Sequence, residues 1–163
     1  MYVSLGRVEA LLPAAEQMPG ESHTTNDRIK VYITKVEKTT KGPQILVSRT
    51  HPGLLKRLFE LEVPEIYDGT VEIKSIAREA GDRSKIAVHA ADPEVDPVGS
   101  CVGQKGARVQ TIVNELNGEK IDIVRWSEDP VVYVANSLSP AKVLEVQVNE
   151  EEKMTTVIVP DYQ

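Results

Sequence analysis

DPVGSCVGQKGARVQ, residues 96–110, sets three glycines, a lysine and an arginine between two short apolar-patterned runs. On the near side Asp96 is a good helix N-cap with Pro97 at the first helical position, and Val98, Cys101 and Val102 follow at i, i+3, i+4 spacing. Gly103 ends that short helix. After Gly106 a second helix is predicted, with Val109, Ile112, Val113 and Leu116 along one stripe and NGE at 117–119 closing it. Two helices meeting at Gly103-Gln104-Lys105-Gly106 make a tight corner whose glycines admit a ligand backbone, because no Cβ stands in the way. The second helix brings unpaired N–H groups and the positive end of its dipole to the same corner, so an anion is favoured there. Phosphate is the natural guest, and Lys105 in the loop and Arg108 on the first turn add charge for it.

Spacing alone removes two rival motifs. A dinucleotide fingerprint needs G-x-G-x-x-G, but the glycines here stand at 99, 103 and 106. A nucleotide P-loop needs G-K-[ST], whereas Gly106 is followed by Ala107 and Arg108. A G-x-x-G on its own is a weak motif, since a helix–helix turn can need glycine for no other reason, so its surroundings decide.

Working outward, Leu54, Leu55, Leu58 and Phe59 mark one face of a helix over about 51–61, which Pro64 interrupts. Val71 and Ile73 in GTVEIKSIAR and Ile86 and Val88 in SKIAVHA alternate as strands, with EAGDR (79–83) as the hairpin turn between them. KIDIVRW (120–126) is a further strand. The predicted order over 51–128 is α-β-β-α-α-β with the glycine loop between its last two helices. That is the arrangement of a type II KH domain, a nucleic-acid clamp whose loop holds about four nucleotides.

In residues 1–50, Ile29, Val31 and Ile33 alternate with polar neighbours, QILVS (44–48) forms a second β run, and KTTKGP (38–43) is the turn between them. This part reads as antiparallel β, and YVSLGRVEALLP starts strand-like at the second residue, as though an opening strand were missing. The expected fold class is therefore α+β, in which a partial OB-fold barrel precedes the KH domain.

The net charge of −6 speaks against nucleic acid until its distribution is considered. Residues 1–50 carry seven Lys/Arg against five Asp/Glu, 51–128 carry ten against fourteen, and 129–163 carry two against six. An acidic total concentrated toward one end is compatible with a basic face elsewhere. No apolar run approaches the roughly 18 residues of a membrane span, and MYVSLGRVEA lacks the layout of a signal peptide, so the cytoplasm is the expected location and no membrane is expected as a partner. The single cysteine excludes an internal disulfide framework. With 4% aromatic residues, base stacking is not expected to be the main source of affinity.

The runs LVSRTHPGLLKRLFELEVPEI (46–66), IAREAGDRSKIAV (76–88) and DPVGSCVGQKGARVQTIVNELNGEKIDIV (96–124) closely resemble the bacterial NusA family of transcription elongation, termination and antitermination factors. The resemblance covers nearly the whole chain. It implies an S1-type OB-fold RNA-binding domain over 1–50, a first KH domain over 51–128 and the start of a second over 129–163, where LSPAKVLEVQV and TTVIVPDYQ look like its first two strands. Relative to the family the chain is expected to be cut at both ends, without the polymerase-binding domain ahead of the OB fold and without the second KH domain's own glycine loop.

What the resemblance implies is binding of single-stranded nascent RNA without catalysis and without a cofactor. RNA polymerase and antitermination factors are the further partners of the family's full-length members, and a monomer is expected. Carried onto matching positions, Gly103, Gln104, Lys105 and Gly106 form the backbone clamp, Arg108 contacts phosphate, and Arg78, Arg83 and Lys85 are neighbouring basic contacts. Arg78 and Arg83 suit equally well ion pairs with Glu79 and Asp82, and Arg49 suits either an RNA contact or a joint between domains. Cys101, on an apolar face with no histidine near it, reads as a buried thiol, and the isolated His51 and His89 do not suggest a metal site. NEEEK (149–153) reads as a solvated hairpin loop. The alternative is an RNA-binding module of a KH/S1-containing exoribonuclease, but there the KH domain precedes the OB-type domain. Glu115, Glu119 and Asp122 gather around a helix end with no flanking histidine, so an enzyme is not expected.

Overall fold

The computed structural model describes residues 1–163. Its first unit is a four-stranded sheet of β1 (Tyr2–Ser4), β2 (Glu9–Leu11), β3 (Tyr32–Thr39) and β4 (Gly42–Ser48), in the order β1-β2-β4-β3. The sheet does not close into a barrel. β3 and β4 are antiparallel with an irregularity between Ile33 and Lys35, but β2 meets β4 in parallel at Leu11 and Leu46, so the unit is not purely antiparallel as its sequence suggested. Ile29 and Val31 lie ahead of β3 and pack on the small core of Ala10, Leu12 and Val47 from a loop. The strands run further out than expected, leaving only Thr40 and Lys41 as the turn, because the β-branched and threonine content of 33–39 sustains pairing up to Thr39↔Gly42.

The second unit carries the main core. α1 (Pro52–Glu62) buries Leu54, Leu55, Leu58 and Phe59, and the short α2 (Pro64–Tyr67) turns the chain into β5 (Glu72–Glu79) and β6 (Arg83–His89). α3 (Pro97–Val102) and α4 (Ala107–Glu115) follow, and β7 (Lys120–Arg125) returns parallel to β6, giving the order β5-β6-β7. Apart from the short α2, which was not expected, the elements run in the predicted α+β order. Burial of Leu55 and Phe59 alone, each with no more than a trace of exposure, contributes roughly 1.5–3 kcal/mol per side chain.

Met18 of the first unit is buried in this same core, so the two units share a hydrophobic boundary. Arg49 closes it. Its side chain is 1% exposed and donates to the Glu21 carboxylate, to the Lys30 carbonyl at 2.8 Å, and to both the carboxylate (3.0 Å) and carbonyl (2.9 Å) of Glu115 at the end of α4. Of the two roles open to Arg49, the joint is the one observed.

Residues 129–163 form α5 (Pro130–Ser137) and a hairpin of β8 (Glu145–Asn149) and β9 (Met154–Ile158), whose loop holds Glu150–Lys153 as expected. The helix was not anticipated. It opens as α3 does, on an aspartate followed by proline, with Asp129 accepting from the Val131 N–H at 3.0 Å. α5 lies against β7, where Tyr133 meets the edge of Trp126 and Asn136 donates to the Arg125 carbonyl.

Candidate nucleic-acid interface

The corner between α3 and α4 is built by local chemistry. Asp96 caps α3, accepting from the Gly99 N–H at 3.1 Å, and the helix ends at Gly103 (φ 79°, ψ 175°), a conformation essentially restricted to glycine. One 3-10 turn, Gln104–Gly106, reverses the chain through left-handed conformations at Lys105 (φ 54°) and Gly106 (φ 75°). Gln104 and Lys105 are exposed at its tip, and no side chain caps the start of α4.

The two loop glycines do different work. A Cβ on Gly106 would meet nothing within 4 Å, so this side of the turn is open to an approaching backbone. A Cβ on Gly103 would lie 2.7 Å from Arg108 Cγ and 3.0 Å from the Arg108 amide nitrogen. Here the expectation that both glycines make room for a ligand is corrected: at Gly103 the room is taken by the protein's own arginine.

Arg108 is correspondingly engaged. Its Nη1 donates to Ser100 O at 2.7 Å and to Glu65 Oε2 at 2.9 Å, tying the first turn of α4 to the end of α3 and to α2. Arg83, 40% exposed, donates from Nε to Asp122 Oδ2 at 2.6 Å, and that carboxylate raises the guanidinium above its ordinary value. Lys85 donates to the Ser137 and Ser139 carbonyls at 2.7 and 2.6 Å, neutralising the C-terminal end of α5.

Arg78 requires a correction. Its side chain and that of Glu119 are both 0% exposed, so it has no surface to offer RNA, and its partner is neither Glu79 nor Asp82. The Glu119 carboxylate also accepts from the Gly81 N–H at 2.8 Å and the Ser84 hydroxyl at 3.0 Å, while Arg78 Nη1 donates to the His51 carbonyl at 2.9 Å. Glu115, Glu119 and Asp122, three acids close in sequence, thus each hold a different arginine: Arg49, Arg78 and Arg83. Sequence reasoning missed Glu65 and Glu119 as the organisers of this region; nothing within a few residues of either signals a partner 43 or 41 positions away.

Cys101 is wholly buried, and desolvation, with the Glu65 carboxylate adding to it, pushes its thiol up to about 12. No group of His, Cys, Asp or Glu side chains is placed to hold a metal ion, and no helix is long and apolar enough to cross a membrane.

Comparison with known proteins gives two domain matches and close relatives over the whole chain. Residues 1–48 match the S1 RNA binding domain, and residues 49–126 match the NusA-like first KH domain. Over all 163 residues the chain is 82% identical to the transcription termination/antitermination protein NusA of Halalkalibacterium halodurans and 80% identical to that of Bacillus subtilis. It is 52% identical to the Thermus thermophilus protein over 159 residues, 98% of this chain. The chain spans 43%, 44% and 41% of these relatives, less than half of each.

Proposed function

The chain belongs to the NusA family of transcription termination/antitermination proteins, and on that premise we propose that it binds single-stranded nascent RNA, without catalysis, as the RNA-reading part of such a factor. The observation that carries this is the Gly103–Gly106 turn. It combines an exposed Gln104 and Lys105, an open flank at Gly106, and an α4 N-terminus that no side chain caps. Those are the requirements for gripping a sugar-phosphate backbone: close approach, donor N–H groups and positive potential.

The division into 1–50, 51–128 and 129–163 is the proposed layout of that function, with the S1-type unit and the KH unit held together through Arg49. RNA polymerase and antitermination factors are the further partners of the full-length family members, and the cytoplasm is the proposed compartment. The S1-matching part precedes the KH-matching part, and the family match over the whole chain favours this reading over an exoribonuclease module.

The test is fluorescence anisotropy with a short unstructured RNA at several salt concentrations, comparing the chain with its Gln104→Asp/Lys105→Asp variant. Salt-sensitive binding that falls at least about tenfold in the variant, about 1.4 kcal/mol, is expected. Equal affinity in both proteins removes the loop from the site. Absence of binding by either assigns RNA binding to the parts of the relatives that this chain does not span.

A further inference from the structure

We propose that Arg108 and Glu65 are a positioning pair that holds the Gly103–Gly106 turn in its RNA-ready shape, and that Arg108 does not act by contacting phosphate. Its consequence for RNA rests on the clamp function proposed above; its geometry does not.

Arg108 stands in the first turn of α4, where a cation opposes the helix's own positive end. An arginine there needs compensation, and two acceptors provide it. Ser100 O is one of the terminal carbonyls of α3 that has no partner further along that helix, and Arg108 Nη1 supplies one at 2.7 Å. The Glu65 carboxylate, 2.9 Å from the same nitrogen, neutralises the charge and anchors it to α2. Between these contacts the aliphatic stem of Arg108 lies over Gly103, close enough to fill the place of a Cβ. The side chain therefore spans the turn from inside, joining the helix before it to the helix after it.

Glu65 gives the proposal its discriminating power. If Arg108 served as a phosphate contact, Glu65 would be a competitor for its charge, and removing that carboxylate would strengthen RNA binding. If the pair positions the turn, the same change weakens binding although it removes a negative charge near the ligand. Both side chains are about one-third exposed, so substitution leaves the core intact.

The experiment compares Glu65→Gln, Arg108→Ala and Arg108→Lys with the unsubstituted chain by amide hydrogen exchange at residues 103–106 and by RNA anisotropy across salt concentrations. Faster exchange at 103–106 in all three is expected, with Arg108→Lys resembling Arg108→Ala because the lysine ammonium stands one bond nearer the backbone than Nη1, the single nitrogen that reaches both Ser100 O and Glu65 Oε2. Binding is expected to weaken severalfold in Glu65→Gln and to keep its salt dependence in Arg108→Ala. Unchanged exchange in the three variants overturns the proposal with or without RNA. So does Glu65→Gln binding as tightly as the parent or tighter, together with a salt slope in Arg108→Ala shallower by about 0.7, the mark of one lost phosphate contact. Failure of the clamp function itself is read separately, from undiminished binding by Gln104→Asp/Lys105→Asp.

Discussion

The Arg78 guanidinium and the Glu119 carboxylate pair in the complete absence of solvent, 3.1 Å apart, linking β5 to the start of β7. Glu119 is further satisfied by Gly81 and Ser84, and Arg78 by the His51 carbonyl, so neither charge lacks partners. Removing one member leaves the other charged and buried. Arg78→Ala or Glu119→Ala is therefore expected to destabilise the chain by about 3–5 kcal/mol in urea unfolding, whereas the joint change Arg78→Met/Glu119→Leu recovers only part of that loss, because the Gly81 N–H and the Ser84 hydroxyl lose their acceptor.

Arg49 is the corresponding joint between the two units. Arg49→Met leaves Glu21, which is 8% exposed, with His23 as its remaining neighbour at 3.4 Å and frees the carbonyls of Lys30 and Glu115. A loss on the order of 3 kcal/mol is expected, with hydrogen exchange rising first in 20–31 and 114–119 while β5–β7 stay protected. Equal loosening throughout the chain would mean that Arg49 supports the core generally and not the joint.

The loop glycines should differ in sensitivity. Gly106→Ala places a Cβ in open space and carries only the strain of a left-handed residue, about 1 kcal/mol in a thermal or urea melt. Gly103→Ala adds a collision with Arg108 and is expected to cost more, and to disturb RNA binding even when the fold survives.

Cys101 should be inert in the folded chain. At pH 8 its thiol stays protonated and buried, so reaction with a disulfide dye is expected only on unfolding. The sign for stability follows from the raised value: the folded state holds this proton more tightly, so the contribution is complete below the ordinary thiol value of 9.0 and is lost as pH climbs toward about 12. An alkaline loss of stability that is absent in Cys101→Ala would check it.

Much of the central unit was legible because its signals are local. Asp96-Pro97 starts α3, Gly103 and Gly106 take positive φ, and Val109, Ile112 and Leu116 recur at helical spacing; each depends on residues only a few positions apart. The same Asp-Pro device at 129–130 passed unread because PVVYVANS is rich in β-branched residues, which lower helix propensity, and its helical state is secured by packing against β7.

The sequence by itself determined the order of the main elements of the central unit, the position of the glycine turn and the kinship of the whole chain, since periodicity, capping and backbone sterics act over a turn or two of helix. Only the tertiary structure decided what the basic residues do. Arg49, Arg78, Arg83 and Arg108 have the same side chain and equally plausible surface roles in one dimension, and each is committed by a carboxylate brought to it from 28 to 66 positions away. At Arg49 and Arg78 burial makes the pairing binding, because an unpaired charge is tolerable in water and costly in the interior; at the partly exposed Arg83 and Arg108 the partner is set by which carboxylate the fold brings within reach.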